Sequence, residues 1–123
     1  MRIAINGFGR IGRSVFRILN TRDDFEVVAI NDIADNGALI YLLKYDTVMG
    51  RFPDTVHTEK DVLYTSTNEV KMLAERNPAD LPWKELSVDV VVEATGIFRT
   101  TRSLKQHLAA GAKRIVRTVP AID

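Results

Sequence analysis

The sequence has no cysteine, one tryptophan and two histidines in 123 residues. Without cysteine it holds no disulfide, no thiolate metal ligand and no thiol nucleophile. Long hydrophobic runs are also missing. The first apolar stretch is broken by Arg10, Arg13 and Arg17, so it is neither a signal peptide nor a membrane span. Charge of one sign is not in excess: 17 basic and 16 acidic residues leave a net charge of +1. That balance argues against nucleic acid or a membrane surface as a partner. No repeat or low-complexity tract interrupts the chain. What remains is 46% hydrophobic and 27% charged, the composition of one globular domain able to bury a core unaided. A cytoplasmic location is expected.

Residues 3–6 form a short apolar run that ends at a glycine, as a buried strand does. From Arg10 the period changes. Ile11, Val15, Ile18 and Leu19 fall on one face of a helix and are expected to meet the core. Residues 25–30 are a second strand, ending at Asn31-Asp32. Asp35 or Asn36 is placed to cap a second helix carrying Leu39, Leu42 and Leu43. Gly50, Pro53 and Asp54 then mark a loop, and residues 62–65 and 70–73 read as a hairpin around Thr67-Asn68. Pro78 and Pro82 punctuate an irregular stretch. The β-branched run 88–94 reads as a parallel strand covered on both faces. Residues 100–110 follow as a helix stopped by Gly111, and 115–119 as a last strand. Alternation of this kind predicts an α/β fold, a mostly parallel sheet with helices on both faces and a small β-hairpin excursion.

Gly7-Phe8-Gly9-Arg10-Ile11-Gly12 is a G-x-G-x-x-G string between the first strand and the first helix. In such a turn the first glycine makes the bend, the second admits a diphosphate to the backbone, and the third lets the helix approach the sheet. The helix start adds free N–H groups and a positive dipole end. Asp32 lies 20 residues after Gly12, at the end of the second strand, where a carboxylate binds ribose hydroxyls and repels a 2′-phosphate. This context predicts a Rossmann-type, doubly wound fold that binds NAD rather than NADP. Arg10, a cation in a first helical turn, is the better candidate for a phosphate partner, and Arg13 is expected on the surface.

The strings INGFGRIGR, VVAIND, LLKYDTVMGRF, ERNPADLPW, VDVVVEATGIF and AAGAKRI occur in that order. Together they resemble the N-terminal NAD-binding domain of phosphorylating glyceraldehyde-3-phosphate dehydrogenase, from about residue 2 to residue 121. The sister erythrose-4-phosphate dehydrogenase family has similar words and stays open. The resemblance implies that Asn6, Gly7, Phe8, Gly9, Arg10, Ile11 and Gly12 surround the pyrophosphate. It implies that Asp32 binds the ribose, that Ile33 and Arg76 border the adenine, and that Thr95, Gly96 and Phe98 lie under the cofactor. Thr118 matches a position near the nicotinamide. The sequence departs from the family pattern at Asn77, Ala94, Arg117 and Ile122. Arg117 stands where an apolar strand residue is usual, so it is expected to be exposed or paired.

In that family a cysteine thiolate attacks the aldehyde, in a motif downstream of residue 123, and a histidine assists. Neither His57 nor His107 matches that histidine, and both are expected on the surface. The chain is therefore expected to be a single NAD-binding domain over residues 1–123, without the catalytic domain and inactive alone. NAD or adenine nucleotides are its expected ligands. The second half of the fold is shortened, which leaves an edge strand through which two copies could associate. A non-catalytic module that binds a nucleotide or a partner in the same groove is the competing reading.

Overall fold

The computed structural model describes residues 1–46, 49–96 and 101–118. β1 (Arg2–Asn6), α1 (Arg10–Leu19), β2 (Glu26–Asn31) and α2 (Asn36–Lys44) form the first half. A short ribbon of β3 (Tyr45–Asp46) and β4 (Gly50–Arg51) leads to β5 (Val56–Glu59), β6 (Val62–Thr65) and β7 (Glu69–Leu73). A 3₁₀ turn at Pro78–Asp80 precedes β8 (Val90–Glu93), α3 (Thr101–Ala109) and β9 (Arg114–Arg117).

The main sheet runs β5-β6-β7-β2-β1-β8-β9. β1 is parallel to β2 on one side and β8 on the other, and β7 and β9 extend the parallel part outward. Among the described residues of this sheet only the β5–β6 and β6–β7 pairs are antiparallel, so the expected mostly parallel Rossmann-type sheet is present. The chain reverses its winding between β1 and β8. That switch point is where doubly wound sheets open a crevice at the carboxyl ends of their strands.

The period-2 alternation of a strand divides the core. Ile3, Ile5, Val90 and Val92 face one cluster, with Phe8, Phe16, Leu39 and Leu43. Ala4 and Val91 face the other, with Trp83, Val88 and Ala112. Asp35 caps α2, its carboxylate accepting the Ala38 N–H at 3.1 Å. Gly111, at φ +119°, ends the chain's path out of α3.

Several details differ from the sequence expectation. Gly12, Phe16 and Arg17 are the buried positions of α1, with Val15 and Leu19 packed partly against the core. Ile11 and Ile18 are 47% and 59% exposed. The reason is the glycine turn: a Cβ on Gly12 would lie 2.1 Å from the Gly7 carbonyl oxygen, so that face of α1 is pressed onto the turn. Leu42 is exposed while Leu39, Ile40 and Leu43 are buried. The hairpin around Thr67-Asn68 is present, and β5 adds a strand through a turn at Lys60-Asp61, both at positive φ. β9 is the sheet edge, with Arg114, Val116 and Arg117 exposed, so it is not covered as a central strand would be. The ends of the expected last helix and strand, Thr100 and Val119, lie outside the described residues.

Candidate functional site

Four parallel strands end at one crevice. A cavity of about 320 Å³ there is lined by Asn6, Gly7 and Gly9 after β1, Asn31, Asp32 and Ile33 after β2, Glu75 and Arg76 after β7, and Ala94 and Thr95 after β8. The turn is tightened by the backbone itself. Gly7 N–H donates to the Asn31 carbonyl at 2.7 Å and Ala94 N–H to the Asn6 carbonyl at 2.8 Å. Gly7 sits at φ +97°, where an L side chain is strained, and an added Cβ would fall 2.7 Å from Thr95 N.

Gly9 is the N-cap of α1 and offers no side-chain cap, and no acidic residue stands in the first turn. The positive end of the helix therefore meets the crevice without a side-chain cap or an anion from its own first turn. A Cβ on Gly9 would meet nothing within 4 Å.

Asp32 anchors the opposite wall. Its carboxylate accepts the Phe8 N–H at 2.8 Å and the Ala34 N–H at 2.9 Å. It thereby ties the end of β2 to the glycine turn while still lining the cavity. Of the other expected site residues, Ile33 and Arg76 are exposed on the rim, and Thr95 forms the wall under the turn. Phe8 is buried in the core, its ring meeting Phe16 edge-on. Arg10 and Ile11 are exposed in the first turn of α1, and Gly12 is buried beneath it. Gly96 adopts φ +76°. Thr118 follows β9 and donates its hydroxyl to the Glu93 carbonyl at 3.2 Å, and it is not among the residues that line the cavity. Phe98 lies outside the described residues.

Two expectations about side chains are overturned. Arg13 is not a surface residue. Its side chain is 12% exposed, donates to the Phe8 carbonyl at 3.1 Å and approaches Asp46 at 4.0 Å, which braces the turn from behind. His107 is not on the surface either; it is fully buried, because α3 lays it against Trp83 and Glu93. His57 is exposed, stacked on Tyr64.

A buried polar network runs beneath the cavity. Glu93, 2% exposed, accepts Asn6 Nδ2 at 2.6 Å and His107 Nε2 at 2.8 Å on one oxygen. Its other oxygen accepts the Thr95 hydroxyl at 2.6 Å and the Thr95 N–H at 2.9 Å. Trp83 Nε1 can only donate, so His107 Nδ1 accepts it at 3.0 Å and the ring hydrogen stands on Nε2, toward Glu93. Asn31 extends the chain, donating to Asn6 Oδ1 at 2.7 Å and to the Glu75 carbonyl at 2.9 Å, and accepting the Glu75 N–H at 2.8 Å. Burial pushes the Glu93 carboxyl up. The hydrogen bonds from His107, Thr95 and Asn6 outweigh burial and hold it below the usual carboxylate range.

Asn31, Glu75 and Glu93 were not singled out by the sequence reading. One signal was available: both inner strands end in the same word, Ala4-Ile5-Asn6 and Ala29-Ile30-Asn31. In the sheet these asparagines are register partners. The other signal was a lone charge, Glu93, closing an otherwise apolar strand.

Comparison with known proteins places this geometry. The family model described as "Glyceraldehyde 3-phosphate dehydrogenase, NAD binding domain" matches residues 1–101. The glyceraldehyde-3-phosphate dehydrogenase of Escherichia fergusonii is 49% identical over 123 residues, all of this chain and 37% of the relative. That of Streptomyces coelicolor is 47% identical over 124 residues, with the same coverage. The chain thus spans 37% of the length of the curated relatives it matches.

Proposed function

Because this chain belongs to the glyceraldehyde 3-phosphate dehydrogenase NAD-binding domain family, we propose that its crevice holds NAD in one defined orientation. The diphosphate lies over Asn6–Gly12, against the free N-terminus of α1, with Arg10 beside it. The adenosine ribose meets Asp32, and the adenine lies between Ile33 and Arg76. Thr95 and Gly96 support the cofactor from below, and Thr118 stands toward the nicotinamide. The observation that supports this most is the Asp32 carboxylate, fixed by the Phe8 N–H at the cavity wall beside the uncapped helix start.

Bound NAD supplies a hydride acceptor. The chain's own residues bind and orient it, and the chain has no cysteine to serve as a thiol nucleophile. The reading is that residues 1–123 are one cofactor-binding domain, inactive alone, of a protein that oxidises glyceraldehyde 3-phosphate with NAD in the cytoplasm. The relatives' names favour that substrate over erythrose 4-phosphate. Among the described residues no helix is long and apolar enough to cross a membrane. The near-neutral charge argues against nucleic acid as a partner. In this reading two copies associate through β9, the sheet edge among the described residues, where Val116 is 54% exposed. A mass by light scattering that does not rise with concentration contradicts that association.

Nucleotide choice tests the cofactor assignment. NAD should bind at least about tenfold tighter than NADP, because the 2′-phosphate would face Asp32. Asp32→Asn should narrow that difference. Equal affinity of the unaltered chain for the two cofactors contradicts the assignment.

A further inference from the structure

The network under the cavity has a direction, and one residue sets it. A carboxylate can only accept. Glu93 receives four donors on two oxygens, from Asn6, His107 and both the hydroxyl and the N–H of Thr95. Asn6 must therefore turn its NH₂ group down to Glu93, which leaves its oxygen facing β2. That oxygen fits only a donor from Asn31, so the Asn31 NH₂ group is fixed too. Asn31 then meets the backbone of Glu75 in the one orientation that satisfies it, NH₂ to the carbonyl and oxygen to the N–H. Glu75 and Arg76 form the cavity wall beyond the end of β7.

We propose that Glu93 is a positioning residue for the nucleotide: through Asn6 and Asn31 it holds the Glu75–Arg76 wall in place for the adenosine half. Glu93 itself is absent from the cavity lining. This inference rests on the crevice being a dinucleotide site. It adds that the shape of the adenosine side is fixed from the far side of the sheet, with Trp83 and His107 completing the chain at the other end.

Glutamine at position 93 would have the same shape with one acceptor oxygen in place of two. If its NH₂ group faced Asn6, the Asn6 amide would have to turn, and its NH₂ would then oppose that of Asn31. Asn31 cannot turn in response without setting its oxygen against the Glu75 carbonyl. If the NH₂ group faced Thr95 instead, it would oppose the Thr95 N–H. In each arrangement a wall of the cavity loses a tie, and leaving a buried donor unmet costs about tenfold or more in an equilibrium.

The test is a double-mutant cycle read by AMP titration of the 123-residue chain. Glu93→Gln and Asn31→Leu should each weaken AMP binding about tenfold, and the double variant should bind no more weakly than the weaker single. Backbone exchange at Glu75 should quicken in Glu93→Gln while the amides of β1 keep their protection. Where Glu93→Gln does not fold, Glu93→Asp, one methylene too short to reach Asn6 and Thr95 together, takes its place in the same cycle with Asn31→Leu. A folded Glu93 variant that binds AMP like the unaltered chain overturns the proposal. So does a double variant in which the two losses multiply. Failure of the unaltered chain to bind AMP removes the cofactor reading itself, and this inference with it.

Discussion

Gly9 and Gly12 stand three residues apart in one turn, yet a methyl group at each would meet different surroundings. At Gly12 it would strike the Gly7 carbonyl at 2.1 Å, backbone against backbone, while at Gly9 it would enter open space. Gly12→Ala should therefore destabilise the domain by about 3 kcal/mol or more, as an overpacked site with no room to relax. Gly9→Ala should cost no more than about 1 kcal/mol through the weaker N-cap, but should weaken NAD binding. Urea unfolding and NAD titration of the two variants separate the roles. Glu93 gives a second expectation at this scale. Its folded carboxyl lies below the usual range, so its contribution is fully present above the unfolded value of about 4.3 and is lost as pH falls through the folded one. The melting temperature of the unaltered chain should drop more steeply between about pH 5 and pH 3 than that of Glu93→Gln. Parallel slopes contradict this.

The elements show where the sequence was legible and where it was not. The strand, turn and helix around the first glycines, the Asp35 cap and the Gly111 stop are local chemistry, and local chemistry reads directly from neighbours in the chain. The inward face of α1 was harder, because two stripes share the helical period. Ile11, Val15, Ile18 and Leu19 form one; Gly12, Phe16 and Leu19 form the other. The close approach of Gly12 to Gly7 decides between them. The same rotation buries Arg17, a cation in the last turn of α1. Its guanidinium donates to the Leu43 and Gly50 carbonyls at 2.7 Å each and lies over the Phe52 ring, joining α1 to the end of α2 and to β4. Arg17→Met should leave those carbonyls unmet and cost about 1–3 kcal/mol, read as a lower urea midpoint with the helix content kept.

At the scale of the whole molecule, the alternation of strands and helices was enough to indicate a mostly parallel sheet with helices on both faces. The buried network was not legible, because it joins residues 6, 31, 75, 83, 93 and 107 from both halves of the fold. A histidine on a mostly polar helix reads as surface until the sheet places Trp83 and Glu93 against it. The site follows from that assembly: an uncapped helix start, an acid at the end of β2 and a wall held from below, all at one end of the sheet. Calorimetric titration of the 123-residue chain with NAD, AMP and nicotinamide mononucleotide tests this most directly. NAD and AMP should bind, and nicotinamide mononucleotide should bind far more weakly, because in the proposed orientation the groups that line the crevice meet the adenosine and diphosphate half. Absence of heat from both NAD and AMP at millimolar concentration, or tighter binding of nicotinamide mononucleotide than of AMP, would contradict it.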